Sequence, residues 1–470
     1  MSSTRHADAG RRAFLLRACA LGAAGAAAPL AANLAALGAA AAQEAPVGSY
    51  KALVCVFLYG GNDPYNTIVP YDEASHRAYA AARADIALPR EALHATVLGG
   101  GPEANGMRFA LAPSLAPLAP LYARGRMAVA LNVGPLAAPT SKADYIAGKA
   151  ALPPKLFSHN DQQSYWQALA PEGASSGWAG RLTDLLLAGS ATSGMAGVTA
   201  GGNAVLLAGR HSSGYRVGPQ GSTAIAQLRD GLYGSEACRA LLRDLITAPR
   251  PHLMESKLAA IAVRSIASDA RLRAALAAVP PPPGFAGIDT PLAGQLRIVA
   301  RIVAARQALG ARRQVFFVSQ NGYDNHTGLR DDHPALLREL GQALAAFQAE
   351  LDRIGMADQV TTFTASEFGR TLGSNGNGSD HGWGGHQLVL GGAVQGGRCY
   401  GTHPDIALDG PGFVDNGRLL PDMAVEQLGA ELGAWFGAGR DELALAFPNL
   451  RRFGPGPSGL LRAPDRAIRA

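Results

Sequence analysis

Residues 51–59, KALVCVFLY, run directly into 60–63, GGND. After Lys51 the stretch carries no charge, and both of its alternating sets of positions are apolar. That is the pattern of a β-strand buried on both faces, as in a parallel sheet covered by helices on either side. Gly60 and Gly61 stop it abruptly. Apolar runs at 127–133 (MAVALNV), 314–319 (QVFFVS) and 359–365 (QVTTFTA) repeat the pattern, and 387–390 is a shorter one. Helical periodicity fills 222–246, with Ser222 as its expected N-cap, and then 253–279, 293–309 and 334–354. Strands alternating with long helices predict an α/β fold with a mostly parallel central sheet flanked by helices. The stretch 222–310 is almost wholly helical, broken by Pro280–Pro283 and Gly284, and is expected as a helical insertion within a single domain over 43–470. No repeat of 20 to 50 residues is visible.

Ligands of an open α/β sheet gather at the carboxyl ends of its strands, so polar clusters placed there can meet although far apart in sequence. Three such clusters follow strand-like runs: Gly60-Gly61-Asn62-Asp63, Gly322-Tyr323-Asp324-Asn325-His326 and Ser366-Glu367-Phe368-Gly369-Arg370. A fourth, Asp380-His381-Gly382-Trp383-Gly384-Gly385-His386, precedes a run. Asp324 and His326, two residues apart, face the same way on an extended chain and can share a cation, although an Asx turn uses the same residues. Asp380, His381 and His386 add a carboxylate and two imidazoles on a loop that its glycines let fold inward. This mixed oxygen and nitrogen set suits Zn, Mn or Fe better than Ca, as one or two divalent ions. Asp63 is a further expected metal ligand, with a helix N-cap as its alternative.

Asn62, Asn66 and Thr67 lie where they would hydrogen-bond a substrate oxyanion. Glu367 ends a strand as a rim ligand, and Arg370 is either an oxyanion clamp or half of a structural Arg–Glu pair. Ser158-His159-Asn160-Asp161 is the densest polar run of the first half, with Ser158 as a nucleophile and His159 or Asp161 as base or ligand. No G-x-S-x-G elbow, P-loop or dinucleotide fingerprint accompanies it in the required context.

The chain as a whole narrows the setting. Of 470 residues, 48% are hydrophobic and 17% charged, which excludes a disordered protein. Arg11-Arg12-Ala13-Phe14-Leu15-Leu16, the weakly apolar stretch from Ala18 to Ala40 and the small residues before Gln43 form a twin-arginine export signal over 1–42. The expected partners are therefore the twin-arginine translocase during export and a small-molecule or polymer ester substrate. The expected location is periplasmic or secreted, with no stable transmembrane segment after cleavage. Removing the signal takes away four arginines and one aspartate, so the formal charge falls from +6 to +3 and gives no reason to expect nucleic acid. Cys55, Cys238 and Cys399 remain, an odd set that allows at most one disulfide, with Cys55 expected as a buried free thiol.

Taken in order, FLYGGNDPYNTIVPYD, LFSHNDQQSYWQ, GYDNH, TASEFGRT and NGNGSDHGWGGHQLVLGGAVQGG closely resemble the bacterial family called domain of unknown function 1501, from about Lys51 to Phe453. The family is grouped with the alkaline phosphatase and sulfatase superfamily. The resemblance implies an alkaline phosphatase-like α/β core and a one- or two-metal site for hydrolysis of phosphate or sulfate esters. By that analogy Asp63 matches the first-strand metal aspartate, and Asp324, His326 and one of His381 or His386 match the later ligands. The chain departs at the nucleophile, where the superfamily has Ser, Thr or a modified Cys at a helix start and this sequence has Ser158-His159-Asn160-Asp161. It also departs in the tight D-x-H spacing. A non-catalytic exported binding or assembly protein with the same fold is the alternative.

Overall fold

The first apolar run forms β1, Lys51–Tyr59, at the centre of a mixed sheet. The other sheet strands are β2 (Met127–Gly134), β3 (Gly197–Thr199), β4 (Tyr215–Gly218), β5 (Gly221–Ser222), β6 (Arg313–Asn321), β7 (Val360–Ala365), β8 (Gly385–Leu390), β9 (Cys399–Tyr400) and β10 (Met423–Ala424). Their order is β9-β2-β8-β7-β1-β6-β3-β4-β5, with β10 also paired to β2. The computed structural model describes residues 50–99, 106–187, 195–223, 225–229 and 233–462. The export-signal reading falls outside these residues.

Side chains alternate across each central strand into two cores. Ala52, Val54, Val56 and Leu58 of β1 face one, and Leu53, Cys55 and Phe57 face the other. Helices close both faces, which is why the strand sequences are apolar throughout. On the first face lie α6 (Pro291–Ala304) and α7 (Leu329–Arg353), and on the second α3 (Trp178–Leu186) and α8 (Val425–Phe436). Each fully buried Leu, Val or Phe contributes about 1.5–3 kcal/mol. The remaining helices used below are α1 (Glu73–Arg83), α2 (His159–Ala168), α4 (Glu236–Thr247) and α5 (Leu253–Ala277). Cys55, Cys238 and Cys399 are all free thiols, and burial pushes that of Cys55 far up from its ordinary pKa. Among the described residues no helix is long and apolar enough to cross a membrane.

Two features of the sheet position the loops. β1 and β6 pair in parallel from Lys51 opposite Arg313 to Tyr59 opposite Asn321, so their ends are level and Gly60 lies against Tyr323 and Asp324. β8 runs antiparallel to both neighbours, β7 and β2. Its amino end therefore reaches the rim where β1, β6 and β7 have their carboxyl ends, and the cluster before β8 joins those after the other three.

One local expectation fails. The helix expected over 222–246 is broken: Ser222 belongs to the short hairpin strand β5, its hydroxyl donating to Asp269, and the cap of α4 is Ser235, which accepts from the Cys238 amide. The Tyr233-Gly234 pair, with φ +54° and +69°, is a left-handed turn that periodicity alone does not register.

Candidate metal centre

Asp324 stands at the middle of the rim cluster. The chain leaves β6 through two successive tight turns, the Asn325 amide bonding the Tyr323 carbonyl and the His326 amide the Asp324 carbonyl, so it is not extended there as the D-x-H reading assumed. The side chains still converge, with His326 Nε2 3.2 Å from Asp324 Oδ1. Gly60 makes room for this turn: its φ is +118°, and a Cβ there would lie 2.3 Å from the Asp324 amide nitrogen.

Two more imidazoles reach the same carboxylate. His381 Nε2 lies 3.4 Å from Asp324 Oδ1, and His159 Nε2 lies 3.4 Å from Asp324 Oδ2. The three ligand atoms lie within 4.8 Å of one another. His381 comes from the loop before β8, tied to Arg370 by an isolated antiparallel bridge, and His159 is the first residue of α2. The two rings meet edge to face with centroids 4.4 Å apart, and Phe368 packs on both.

The outer nitrogens fix which atoms face inward. His381 Nδ1 donates to the Phe157 carbonyl at 2.9 Å, and Phe157 adopts φ +73°, uncommon for a bulky residue. His159 Nδ1 donates to Glu367 Oε1 at 2.9 Å. In each neutral ring the Nε2 lone pair is then turned toward the Asp324 carboxylate, which has only lone pairs to offer. His381 Nε2 is buried without a hydrogen-bond partner. Imidazoles whose far nitrogen is held by a carbonyl or carboxylate, and whose near nitrogens converge on an acidic oxygen, are the arrangement metal-binding histidines adopt. The residues fit a divalent cation.

Electrostatics act oppositely on the two rings, favouring the neutral form of His381 and the protonated form of His159 in the absence of a cation. The Glu367 hydrogen bond raises the His159 pKa against the opposing effect of burial, with the charges of Glu367 and Asp324 assisting. Burial lowers that of His381, with Arg370 and the neighbouring imidazoles acting in the same direction. Partial burial works against the Asp324 carboxylate, but the hydrogen bond and charge of Arg370 outweigh it and hold its pKa below the usual range. Asp380, bonded by Asn375 and 3.3 Å from His326 Nδ1, is also lowered, chiefly by the Asn375 hydrogen bond. His326 and Asp380 thus form a more exposed arm on the open side.

Other expected site residues are placed elsewhere. Asp63 is not in the cluster: its buried carboxylate pairs with Arg83 of α1, accepts the Tyr65 and Asn66 amides at 3.0 and 2.9 Å and takes the Ser379 hydroxyl at 3.2 Å, leaving no oxygen for a metal. His386 lies inside β8, its Nδ1 accepting from the Asn132 amide at 3.1 Å, where burial keeps it neutral. Arg370 is fully buried and spent on the Gly60, Gly61, Tyr323 and Ser379 carbonyls and on Asp324, so it is a strut beneath the loops and not an oxyanion clamp.

Glu367 sits behind His159, and its buried Oε2 has no hydrogen-bond partner. Its Oε1 collects the Gly60 amide, Gln163 and His159, making it the group that orients His159. The Ser158 hydroxyl donates to Asp161 Oδ2 at 3.0 Å, and Asp161 is otherwise engaged by Lys155 and the Glu172 amide, so neither is set up as nucleophile or base. Asn62, Asn66 and Thr67 are buried, bonding His333, Tyr79 and the Asp63 carbonyl respectively, and present nothing to a substrate. The sequence reading did not single out Gln163, Phe368 or the Phe157 carbonyl, although all three lie within or beside its motifs.

Residues 50–426 match the family described as "Protein of unknown function (DUF1501)". The chain belongs to this family. No curated protein matches the sequence. Among solved structures, it is similar to the lipoteichoic acid synthase LtaP from Listeria monocytogenes, at 10% identity and a TM-score of 0.29, over 78% of this chain and 67% of that one. A likeness of that degree carries no conclusion about the chemistry of this DUF1501 protein.

Proposed function

We propose that this DUF1501 protein is a metal-dependent hydrolase of phosphate or sulfate esters, working in the periplasm or outside the cell after twin-arginine export. The observation that carries the reading is the convergence of His159 Nε2, His381 Nε2 and an Asp324 oxygen within 4.8 Å, the His381 atom having no hydrogen-bond partner. His159, Asp324 and His381 would hold one divalent ion, Zn, Mn or Fe, and His326 with Asp380 extends the set toward a second. A cation bound there supplies charge stabilisation at an ester oxygen.

The chain's own residues supply orientation. Glu367 and the Phe157 carbonyl hold the two imidazoles in their tautomers, and Arg370 fixes the Asp324 carboxylate in its ionised form. Among the described residues no Ser, Thr or Cys hydroxyl or thiol is hydrogen-bonded to a cluster side chain, so the attacking group in this reading is water, which Asp380 can orient; both nitrogens of His159 are engaged, by Glu367 and by the metal. That same observation favours the second reading, a non-catalytic exported protein with a structural metal.

Turnover separates the two. Protein loaded with Zn or Mn is assayed on aryl phosphate monoesters, phosphate diesters and sulfate esters, beside an Asp324→Asn variant. The hydrolase reading expects turnover that a chelator abolishes, restored by added metal, and at least 100-fold lower in the variant. A metal-loaded protein inert on all three ester classes contradicts it.

A further inference from the structure

Away from the rim, a cavity of about 870 Å³ opens among β4, α4 and α5 and shares no residue with the metal cluster. Among the described residues six arginines line it against three carboxylates. Arg239 is paired with Glu236 and Arg273 with Asp269, and Asp244 is the lining carboxylate outside an ion pair. Arg216, Arg243 and Arg264 have no carboxylate within ion-pair distance and no side-chain hydrogen bond among the described residues. Three exposed guanidiniums without a carboxylate partner around one opening match the chemistry of phosphate-type oxyanions, which Arg recognises through two parallel N–H donors.

The surroundings identify the source of that anion. Thirteen large apolar side chains stand exposed among the described residues, and nine of them fall within 225–263. On α5, Met254, Leu258 and Ile261 follow one another at helical spacing and continue the face that lines the cavity, and Leu241 and Leu245 flank it on α4. Scattered exposed leucines need no explanation, but this density on two adjoining helices does. A second copy of the chain is a poor occupant, because symmetric pairing would bring two sets of unneutralised guanidiniums together. A surface that is anionic outside and apolar beneath satisfies both features at once, as for interfacial amphipathic helices rich in Arg and Leu.

We propose that α4 and α5 form a docking surface for an anionic phospholipid membrane, with headgroup phosphates taken by Arg216, Arg243 and Arg264 and the exposed leucines, Met254 and Ile261 buried at the acyl boundary. The test uses the mature full-length protein with vesicles of phosphatidylglycerol mixed into phosphatidylcholine, against vesicles of phosphatidylcholine alone. Binding is read by co-sedimentation, and oligomeric state by light scattering.

Binding to the phosphatidylglycerol vesicles is expected, weaker as salt rises. It should weaken about 30-fold in Arg243→Ala/Arg264→Ala, from the usual attraction of each basic residue to an anionic surface. Leu241→Ser/Leu258→Ser should also weaken it. Arg77→Ala, a surface arginine on α1 paired with Glu73, should change nothing. Circular dichroism melting checks that each variant stays folded, and a variant that does not is replaced by Arg216→Gln. The proposal is overturned by absence of vesicle binding, by equal binding to both vesicle types, by equal loss in Arg77→Ala, by a dimer that the leucine changes dissociate, or by binding of inorganic pyrophosphate without binding of vesicles.

Discussion

Replacing Arg370 by Met removes the strut under the metal cluster while keeping most of the side-chain volume. Wild-type Arg370 is fully buried and donates to four backbone carbonyls, those of Gly60, Gly61, Tyr323 and Ser379, and to the Asp324 carboxylate. Breaking a buried pair by removing one partner costs about 3–5 kcal/mol, since the remaining charge is left without compensation. Asp324 moderates this, being 48% exposed at the rim and able to recruit water. The Tyr323 carbonyl keeps the Asn325 amide, but the Gly60, Gly61 and Ser379 carbonyls lose their donor, and each buried acceptor left bare costs about 1–3 kcal/mol. A net loss of about 4–6 kcal/mol is therefore expected even if water satisfies one of the three. For a domain of this size, with an unfolding entropy of about 2.1 cal/mol/K per residue, that lowers the thermal midpoint by roughly 5–7 °C. Differential scanning calorimetry of wild type, Arg370→Met and Arg370→Lys measures it, and Lys, with three donors on one atom, should recover only part of the loss. If Arg370→Met melts within about 2 °C of wild type, the guanidinium is not a strut and its assignment away from substrate is wrong.

Three other outcomes are expected. Glu367→Gln keeps the size of the group that holds His159 but removes its charge, so metal affinity should fall 10- to 100-fold with the melting temperature little changed, as read by chelator competition. Gly60→Ala should cost at least about 1–3 kcal/mol, because its φ of +118° disfavours a side chain and the new Cβ would meet the Asp324 amide; urea unfolding checks it. Burial of Glu426 pushes its pKa up to about 7 from 4.5, so the folded state holds this proton more tightly than the unfolded chain. The sign follows: its effect on stability is most favourable below pH 4.5 and is lost as pH rises through 7. Glu426→Gln should accordingly be up to about 3 kcal/mol more stable than wild type at pH 8 and equal to it near pH 4.

Strand positions were legible because burial on both faces leaves an unbroken apolar run, and β1 spans the nine residues read from the sequence. Direction was not: the six residues of β8 pack the same whichever way they run, and only its pairing with β7 and β2 reveals that its amino end meets the rim. In the site, Asp324, His326, Asp380 and His381 stand in one cluster, as their shared placement beside strands suggested. Asp63 and Arg370 went astray for one reason. Each looks available in sequence, but each is neutralised by a partner that only the tertiary fold supplies, Arg83 from α1 for Asp63 and Asp324 with four carbonyls for Arg370. His159 was visible as a polar residue opening a helix. Its pairing with Glu367, 208 positions away, is what distinguishes it from Ser158 and Asp161 beside it.

Metal content tests the central claim most directly. Wild-type protein purified through its own export route and a His159→Ala/His381→Ala variant are compared by elemental analysis, with circular dichroism to confirm folding. Stoichiometric Zn, Mn or Fe in the wild type and its loss in the folded variant is the expected result. A wild type that binds no divalent metal even after loading, or a folded variant that retains the full complement, would contradict a centre built on His159, Asp324 and His381.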